Sequence, residues 1–160
     1  MINTLSYIPV DLEKTFNLCI QFREDTYQCS FQNLKGCSDQ VEFNGEKYGK
    51  YLRSYKPEGL RHIVYKGGII GQLEFKLMPT NPKIGYINLI YVAQSYRGRG
   101  VAEKAMNFVM EYFKNNSCEE VMLSVSRTNQ RAIKYYLKHG FQFRKKSIKD
   151  PLVDVYSHNI

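Results

Sequence analysis

A chain of 160 residues has single-domain length and can bury about two thirds of its unfolded surface without disulfides or metals. A net charge of +8 favours anionic partners, but the basic residues are spread out and the one dense cluster, Arg144-Lys145-Lys146 with Lys149, is short, which points to solvated surface charge or a polyanionic small ligand and weighs against nucleic acid. No apolar run approaches a membrane span, no signal-peptide pattern opens the chain, and Cys19, Cys29, Cys37 and Cys118 lack zinc spacing; a cytoplasmic, metal-free protein with reduced thiols and no membrane partner is expected.

Leu5 to Ile8 reads as a short strand stopped by Pro9. From Asp11 the residues Leu12, Phe16, Cys19, Ile20 and Tyr27 recur at helical spacing, which predicts a long amphipathic helix to about Gln28 with Arg23, Glu24 and Asp25 on its polar side. Leu34 to Gly45 is polar and has no clear period. A second helix is expected from Glu46 to Tyr55, through Tyr48, Tyr51, Leu52 and Tyr55, ending before Pro57 and Gly59.

The period then changes to two. Leu60 to Tyr65 and Ile69 to Leu77 read as strands joined at Lys66-Gly67-Gly68, with Pro79 and Pro82 closing the hairpin and Ile84 to Val92 forming the next strand. A helix follows with Val101, Ala105, Phe108, Val109 and Tyr112 on its apolar face, ended by Asn115-Asn116-Ser117. Val121 to Val125 reads as a strand buried on both sides. Thr128 or Asn129 caps a helix that turns Ala132, Ile133, Tyr136 and Leu137 inward and stops at Gly140, before a last pair of strands, Phe141 to Lys146 and Val153 to Ser157. This order predicts an α/β (α+β) domain over 1–160, with a helical region at 1–59 and a mixed sheet with helices on its faces at 60–158.

The most informative stretch is Leu89 to Ala102, where a strand breaks into Arg97-Gly98-Arg99-Gly100 and re-forms as a helix. Glycines at Gly98 and Gly100 let main-chain N–H groups turn outward as a set; a helix N-terminus and the charges of Arg97 and Arg99 complete an anion cradle suited to a pyrophosphate. Val101 and Ala102 stand where a Walker A loop needs Lys and Ser/Thr, and a dinucleotide fingerprint needs a third Gly, so neither an NTPase nor a Rossmann domain is indicated.

Arg97-Gly98-Arg99-Gly100-Val101-Ala102 is similar to the Q/R-x-x-G-x-G/A signature of the GNAT superfamily of acyl-CoA-dependent N-acetyltransferases. Asn129 to Tyr136 with Gly140-Phe141 resembles that family's N-x-x-A-x-x-x-Y-x-x-x-G-F segment, in the right order and separated by a helix and a strand. Gln94 departs from the pattern, since many members carry Pro there; this softens the turn and removes no donor. The resemblance implies a mostly antiparallel sheet of six to seven strands, splayed at its centre and flanked by about four helices. It further implies that the loop amides from Arg97 to Ala102 hold the pyrophosphate of coenzyme A, that the pantetheine arm lies against the main chain at Tyr91 and Val92, and that Asn129 bonds the same ligand. No metal is implied.

The resemblance implies an amine attacking a thioester, and Tyr136, otherwise a core tyrosine beside Leu137, is the candidate acid at the family's Tyr position. A thiolate leaving an attacked thioester needs a proton, and the phenol of Tyr136, with an ordinary pKa of ~10, can give one at neutral pH. The acceptor amine must first lose its own proton, at roughly 4.6 kcal/mol for a lysine-like group at pH 7; Glu74 acting through water, or desolvation of the amine, supplies candidates. Tyr86, Asn88 and Ile90 share a strand face, so Tyr86 and Asn88, with Tyr27, are candidate acceptor-binding residues, and Glu24, Asp25, Glu42 and Glu46 a candidate negative wall. The expectation is an N-acetyltransferase, monomeric or homodimeric, using acetyl-CoA and a small-molecule or protein amine. A non-catalytic acyl-CoA sensor is the alternative.

Overall fold

The computed structural model describes residues 1–31 and 46–160; the polar stretch from Leu34 to Gly45, with Cys37 and Glu42, lies outside them, as does the side chain of Cys29. Alternating apolar and polar residues on either side of Lys66-Gly67 form a hairpin of β2 (Leu60–Tyr65) and β3 (Gly68–Met78). β1 (Ser6–Pro9) pairs antiparallel with β2. β4 (Asn81–Val92) begins three residues before the expected Ile84, because the turn is made by Pro79-Thr80 alone. Pro82 therefore lies inside the strand, in the irregular stretch between the pairs Met78↔Asn81 and Leu77↔Gly85, where a missing N–H is tolerated.

The sheet has seven strands in the order β1-β2-β3-β4-β5-β7-β6, with β5 at Glu120–Ser126, β6 at Gln142–Lys146 and β7 at Val153–Asn159. Every pairing is antiparallel except β4 with β5, so the sheet is mixed and mostly antiparallel. The helices are α1 (Leu12–Phe31), α2 (46–53), α3 (Val101–Asn115) and α4 (Gln130–Lys138). On one face Cys19 of α1, Leu52 of α2, Tyr55 and Leu60 form a core, next to a second formed by Phe22, Leu89 and Tyr91. On the other face α3 and α4 pack over the largest core, around Ile63, Leu73, Phe75, Ile87, Val121 and Leu123. No helix among the described residues is long and apolar enough to cross a membrane.

Three expected faces are rotated. In α3 the fully buried residues are Val101, Ala105, Met106, Val109 and Phe113, while Phe108 and Tyr112 pack at the margin. In α4 Leu137 is 51% exposed and Tyr135 packs inward with Ala132, Ile133 and Tyr136. β5 is not buried on both sides: Val121, Leu123 and Val125 are buried, whereas Ser124 is exposed. Ser124 interrupts the apolar residues of this strand on the face that looks into an opening.

β4 carries an extra residue. Glu74 pairs with Leu89 and Phe75 with Ile87, leaving Asn88 as a β-bulge. The bulge reverses the strand's alternation: Ile87 joins the α3–α4 core, Leu89 and Tyr91 pack against Phe22 on the α1 side, and Ile90 returns to the α3–α4 core. Strict alternation therefore fails at Ile90, which does not share the face of Asn88. Asn88 points at Glu74 on the α1 side.

Candidate functional site

β4 and β5 pair only from Ile84↔Glu120 to Ile87↔Leu123. Beyond the bulge they diverge, β5 staying with β7 through Ser126↔Val153, and the sheet opens at its centre. The gap is a cavity of about 460 Å³, lined by Asn88 to Val92 of β4, Ser124 to Ser126 of β5, Thr26 of α1, the start of α3 and the inner side of α4. A strand edge freed of its neighbour leaves main-chain groups able to pair with an extended ligand.

At one end of the cavity the chain turns through Gly98 and Gly100, at φ 72° and 83°. A Cβ at Gly98 would meet nothing within 4 Å, so backbone conformation alone calls for glycine there. Gly100 is the N-cap of α3 and no side chain caps that helix. The N–H groups of its first turn have no partner within the helix, and Gly98, Gly100, Val101, Ala102 and Glu103 line the cavity at this point. An uncapped helix start under a glycine bend fits an anionic group, as expected for a pyrophosphate.

The two arginines do not both serve this cradle. The Arg97 guanidinium is turned back: Nε donates to the Val92 carbonyl (2.8 Å) and a terminal nitrogen to Asp25 Oδ2 (2.5 Å), while the Tyr91 hydroxyl donates to the same oxygen (2.6 Å). Arg97 thereby ties the end of β4 to α1, and its charge is matched by Asp25 rather than left for a ligand. That contact also corrects the expectation for Asp25, whose carboxylate holds Arg97 and Tyr91 instead of facing an amine. Arg99 is exposed, with its guanidinium 5.6 Å above the Tyr96 ring. Arg131 of α4, whose position within the Asn129 to Tyr136 segment gives no sequence signal of its own, also lines the cavity.

Asn129 is the N-cap of α4: its Oδ1 accepts from the Ala132 N–H (3.1 Å), and the residue also lines the cavity, so its amide NH₂ remains for a second partner. Seven residues on, Tyr136 lines the same cavity. Burial, with a smaller contribution from Tyr86, pushes its phenol up to about 12, a weaker acid than the ordinary value assumed from sequence, and protonated throughout the physiological range. α4 ends as expected at Gly140, where Phe141 N–H bonds the Tyr136 carbonyl and Gly140 N–H that of Leu137.

On the α1–α2 side Glu74 is fully buried and accepts from Tyr48 OH (3.1 Å), Gln72 Nε2 (2.8 Å) and Asn88 Nδ2 (2.7 Å). It does not line the cavity; Asn88 stands between. Burial opposes the charge of Arg23, but Tyr27, Glu74 and Tyr48 around it outweigh that and raise its pKa. Tyr86 sits just outside the cavity lining, donating to Ser124 Oγ (3.1 Å), which is part of it. Tyr27 is not brought to the cavity and lies under the Arg23 guanidinium, 5.0 Å from its ring. Thus Tyr91, Val92, Arg97, Gly98, Gly100, Val101, Ala102, Asn88, Asn129 and Tyr136 converge on one space, whereas Arg99, Glu74, Tyr86 and Tyr27 border it or lie apart. Ser124 and Ser126 were foreshadowed by the polar alternation inside β5; the Asp25–Arg97 contact had no local signal. No group of three metal-ligating side chains occurs among the described residues.

Comparison with known proteins gives a consistent picture. The model of the acetyltransferase (GNAT) family matches residues 21–141. The chain is 27% identical over 101 residues to the spermine/spermidine N(1)-acetyltransferase of Bacillus subtilis (strain 168), covering 59% of this chain and 64% of that protein, so it spans a little under two thirds of that relative's length. It is 33% identical over 57 residues to N-alpha-acetyltransferase 30 of Saccharomyces cerevisiae, covering 36% of this chain and 32% of that protein. Among solved structures, PaiA N-acetyltransferase from Thermoplasma acidophilum in complex with coenzyme A superposes with a TM-score of 0.79 at 13% identity, covering 99% of this chain and 100% of that one, which establishes a shared fold.

Proposed function

Because this chain belongs to the acetyltransferase (GNAT) family, we propose that it transfers an acetyl group from acetyl-CoA to a primary amine, by direct attack in a ternary complex. One observation carries the reading: a single cavity runs from an uncapped helix start under a glycine bend, along a freed strand edge, to a buried phenol. Acetyl-CoA is a substrate here and supplies an activated thioester. The amides from Arg97 to Ala102 hold its diphosphate, the freed edge at Tyr91 and Val92 receives the pantetheine arm, and Asn129 contributes its amide NH₂.

Tyr136 donates a hydrogen bond to the departing sulfur and then its proton. A phenol held at about 12 is a poor acid toward a thiolate of ordinary pKa ~8.5, but burial in the same wall raises the thiol as well, which narrows the gap. The proton on the acceptor is the larger obstacle, at roughly 4.6 kcal/mol for a lysine-like amine at pH 7. Glu74 accepts it through water admitted past Asn88, and its buried negative charge favours a cationic acceptor meanwhile. The acceptor is an amine of a small molecule or of a protein; the relatives named for polyamine and for N-terminal acetylation span both kinds.

The test is thiol release from acetyl-CoA across a panel of polyamines, amino acids, aminoglycosides and peptides, with the wild type and Tyr136→Phe. Turnover by the wild type that falls about 10² to 10⁴-fold in the variant, with coenzyme A affinity retained, supports the assignment. Coenzyme A binding with no turnover on any amine identifies an acyl-CoA sensor instead.

A further inference from the structure

The glycine bend is gripped from a second direction, by the chain that precedes β1. Ile2 lies ahead of that strand and donates its main-chain N–H to the Arg99 carbonyl, at 3.1 Å. β1 starts where Ser6 faces Val64, next to the β2–β3 turn, and β4 finishes at the same end of the sheet, where Val92 faces Gly71. The residues before Ser6 cross that end of the sheet to reach the bend, and they are fixed there by packing. Ile2 is 2% exposed, in the core that also holds Val101 and Ala105. The Met1 methyl group lies over Gly100, so close that a Cβ on that glycine would stand 2.3 Å from it.

The Ile2 bond matters for what lies on the other side of the same peptide unit. A trans peptide is planar, and its C=O and N–H point in opposite directions; no peptide among the described residues is cis. The Arg99 carbonyl and the Gly100 N–H belong to one such unit. With the carbonyl held by Ile2, the Gly100 N–H is directed away from the Ile2 segment. No acceptor among the described residues takes that N–H, and Gly100 lines the cavity. Glycine accepts either sign of φ, so an untethered peptide at this point can turn over and exchange its N–H for a carbonyl oxygen. An anion meets a donor in the first arrangement and a repelling oxygen in the second.

We propose that Ile2 is a positioning residue for coenzyme A: its N–H holds the Arg99–Gly100 peptide in the orientation that presents the Gly100 N–H to the diphosphate. The inference rests on the acetyl-CoA reading above. Ile2 is not part of the cavity lining and acts only through the bend. The Asp25–Arg97 contact anchors the chain before the bend, whereas Ile2 fixes a peptide within it.

Replacing the Met1–Ile2 amide by an ester, through incorporation of the α-hydroxy acid that corresponds to isoleucine, deletes the donor and keeps every side chain. Coenzyme A affinity, measured by calorimetry, should fall about fivefold, the order expected from one main-chain hydrogen bond. The same fall is expected with 3′-dephospho-coenzyme A, which keeps the diphosphate, and none with pantetheine, which lacks it, in an NMR titration. Ile2→Pro also lacks the donor and should repeat this pattern, while Ile2→Val, which keeps it, should bind coenzyme A as the wild type does. Unchanged coenzyme A affinity in the ester, or an equal loss with pantetheine, would show that the bond merely secures the segment; the role of Ile2 then falls and the acetyl-CoA reading stands. A wild type that binds no coenzyme A removes that reading and this inference together.

Discussion

Replacing Asp25 by alanine tests how the glycine bend is anchored. The carboxylate of Asp25 accepts from the Tyr91 hydroxyl and from the Arg97 guanidinium, and Arg97 in turn holds the Val92 carbonyl. Hydrogen bonds to charged groups contribute about 1.5–3 kcal/mol each, but the Arg97 and Asp25 side chains are 23% and 30% exposed, so water replaces part of what is lost. We expect a net loss of about 2–3 kcal/mol and a fall in melting temperature of about 5–10 °C. Because the freed guanidinium no longer fixes the end of β4, coenzyme A affinity should fall as well. Thermal melts and calorimetry on Asp25→Ala, Arg97→Ala and the double variant give the coupling directly, with about 1–2 kcal/mol expected. Additive single effects, or melting within a degree of the wild type, would show that the contact does not hold the bend in place.

The pH dependence follows from the buried phenol. With Tyr136 held at about 12, kcat/KM should rise with pH as the amine loses its proton and show no downturn below about pH 11; a falling limb near pH 9 would mean that a different acid is at work. Glu74→Gln should lower turnover and shift the rising limb if the carboxylate takes the amine's proton, whereas a change in stability alone with an unaltered profile would reduce Glu74 to a structural partner of Tyr48, Gln72 and Asn88. His62 is almost fully buried on β2 and its pKa is lowered from 6.5 by burial. The unfolded chain therefore binds the proton first, and the contribution of His62 to stability, fully present above pH 6.5, should be lost as the pH falls through and below that value. Melting curves between pH 5 and 8 should show this slope, flattened in His62→Phe.

Much of this was legible because local chemistry leaves a periodic trace. The glycines at Gly98 and Gly100, the cap at Asn129 and the stop at Gly140 mark positions where the backbone has few alternatives, and they frame the cavity. Contacts between distant segments leave no such trace. Asp25 and Arg97 are 72 positions apart, and nothing near either announces that they meet; charge alone suggests Arg97 as a ligand for phosphate and Asp25 as a wall for amines, whereas each neutralises the other. The faces of α3 and α4 were displaced for a related reason. A helix of mixed aromatic and aliphatic residues offers several plausible inward arcs, and the sheet beneath chooses among them. Ser124 was readable in principle, because a polar residue within an alternating strand marks the side without a partner.

The extra residue at Asn88 makes β4 sensitive to length rather than to composition. Upstream of it the strand is keyed to β5, and downstream to α1, so the bulge works as a one-residue gear between two registers. Deleting Asn88 would join the pairs Phe75↔Ile87 and Glu74↔Leu89 without a break, leave Leu89 and Tyr91 on the side of Phe22, and offer β5 a continuous edge to zip against. The central cleft would then close by ordinary sheet pairing, with every remaining side chain still present.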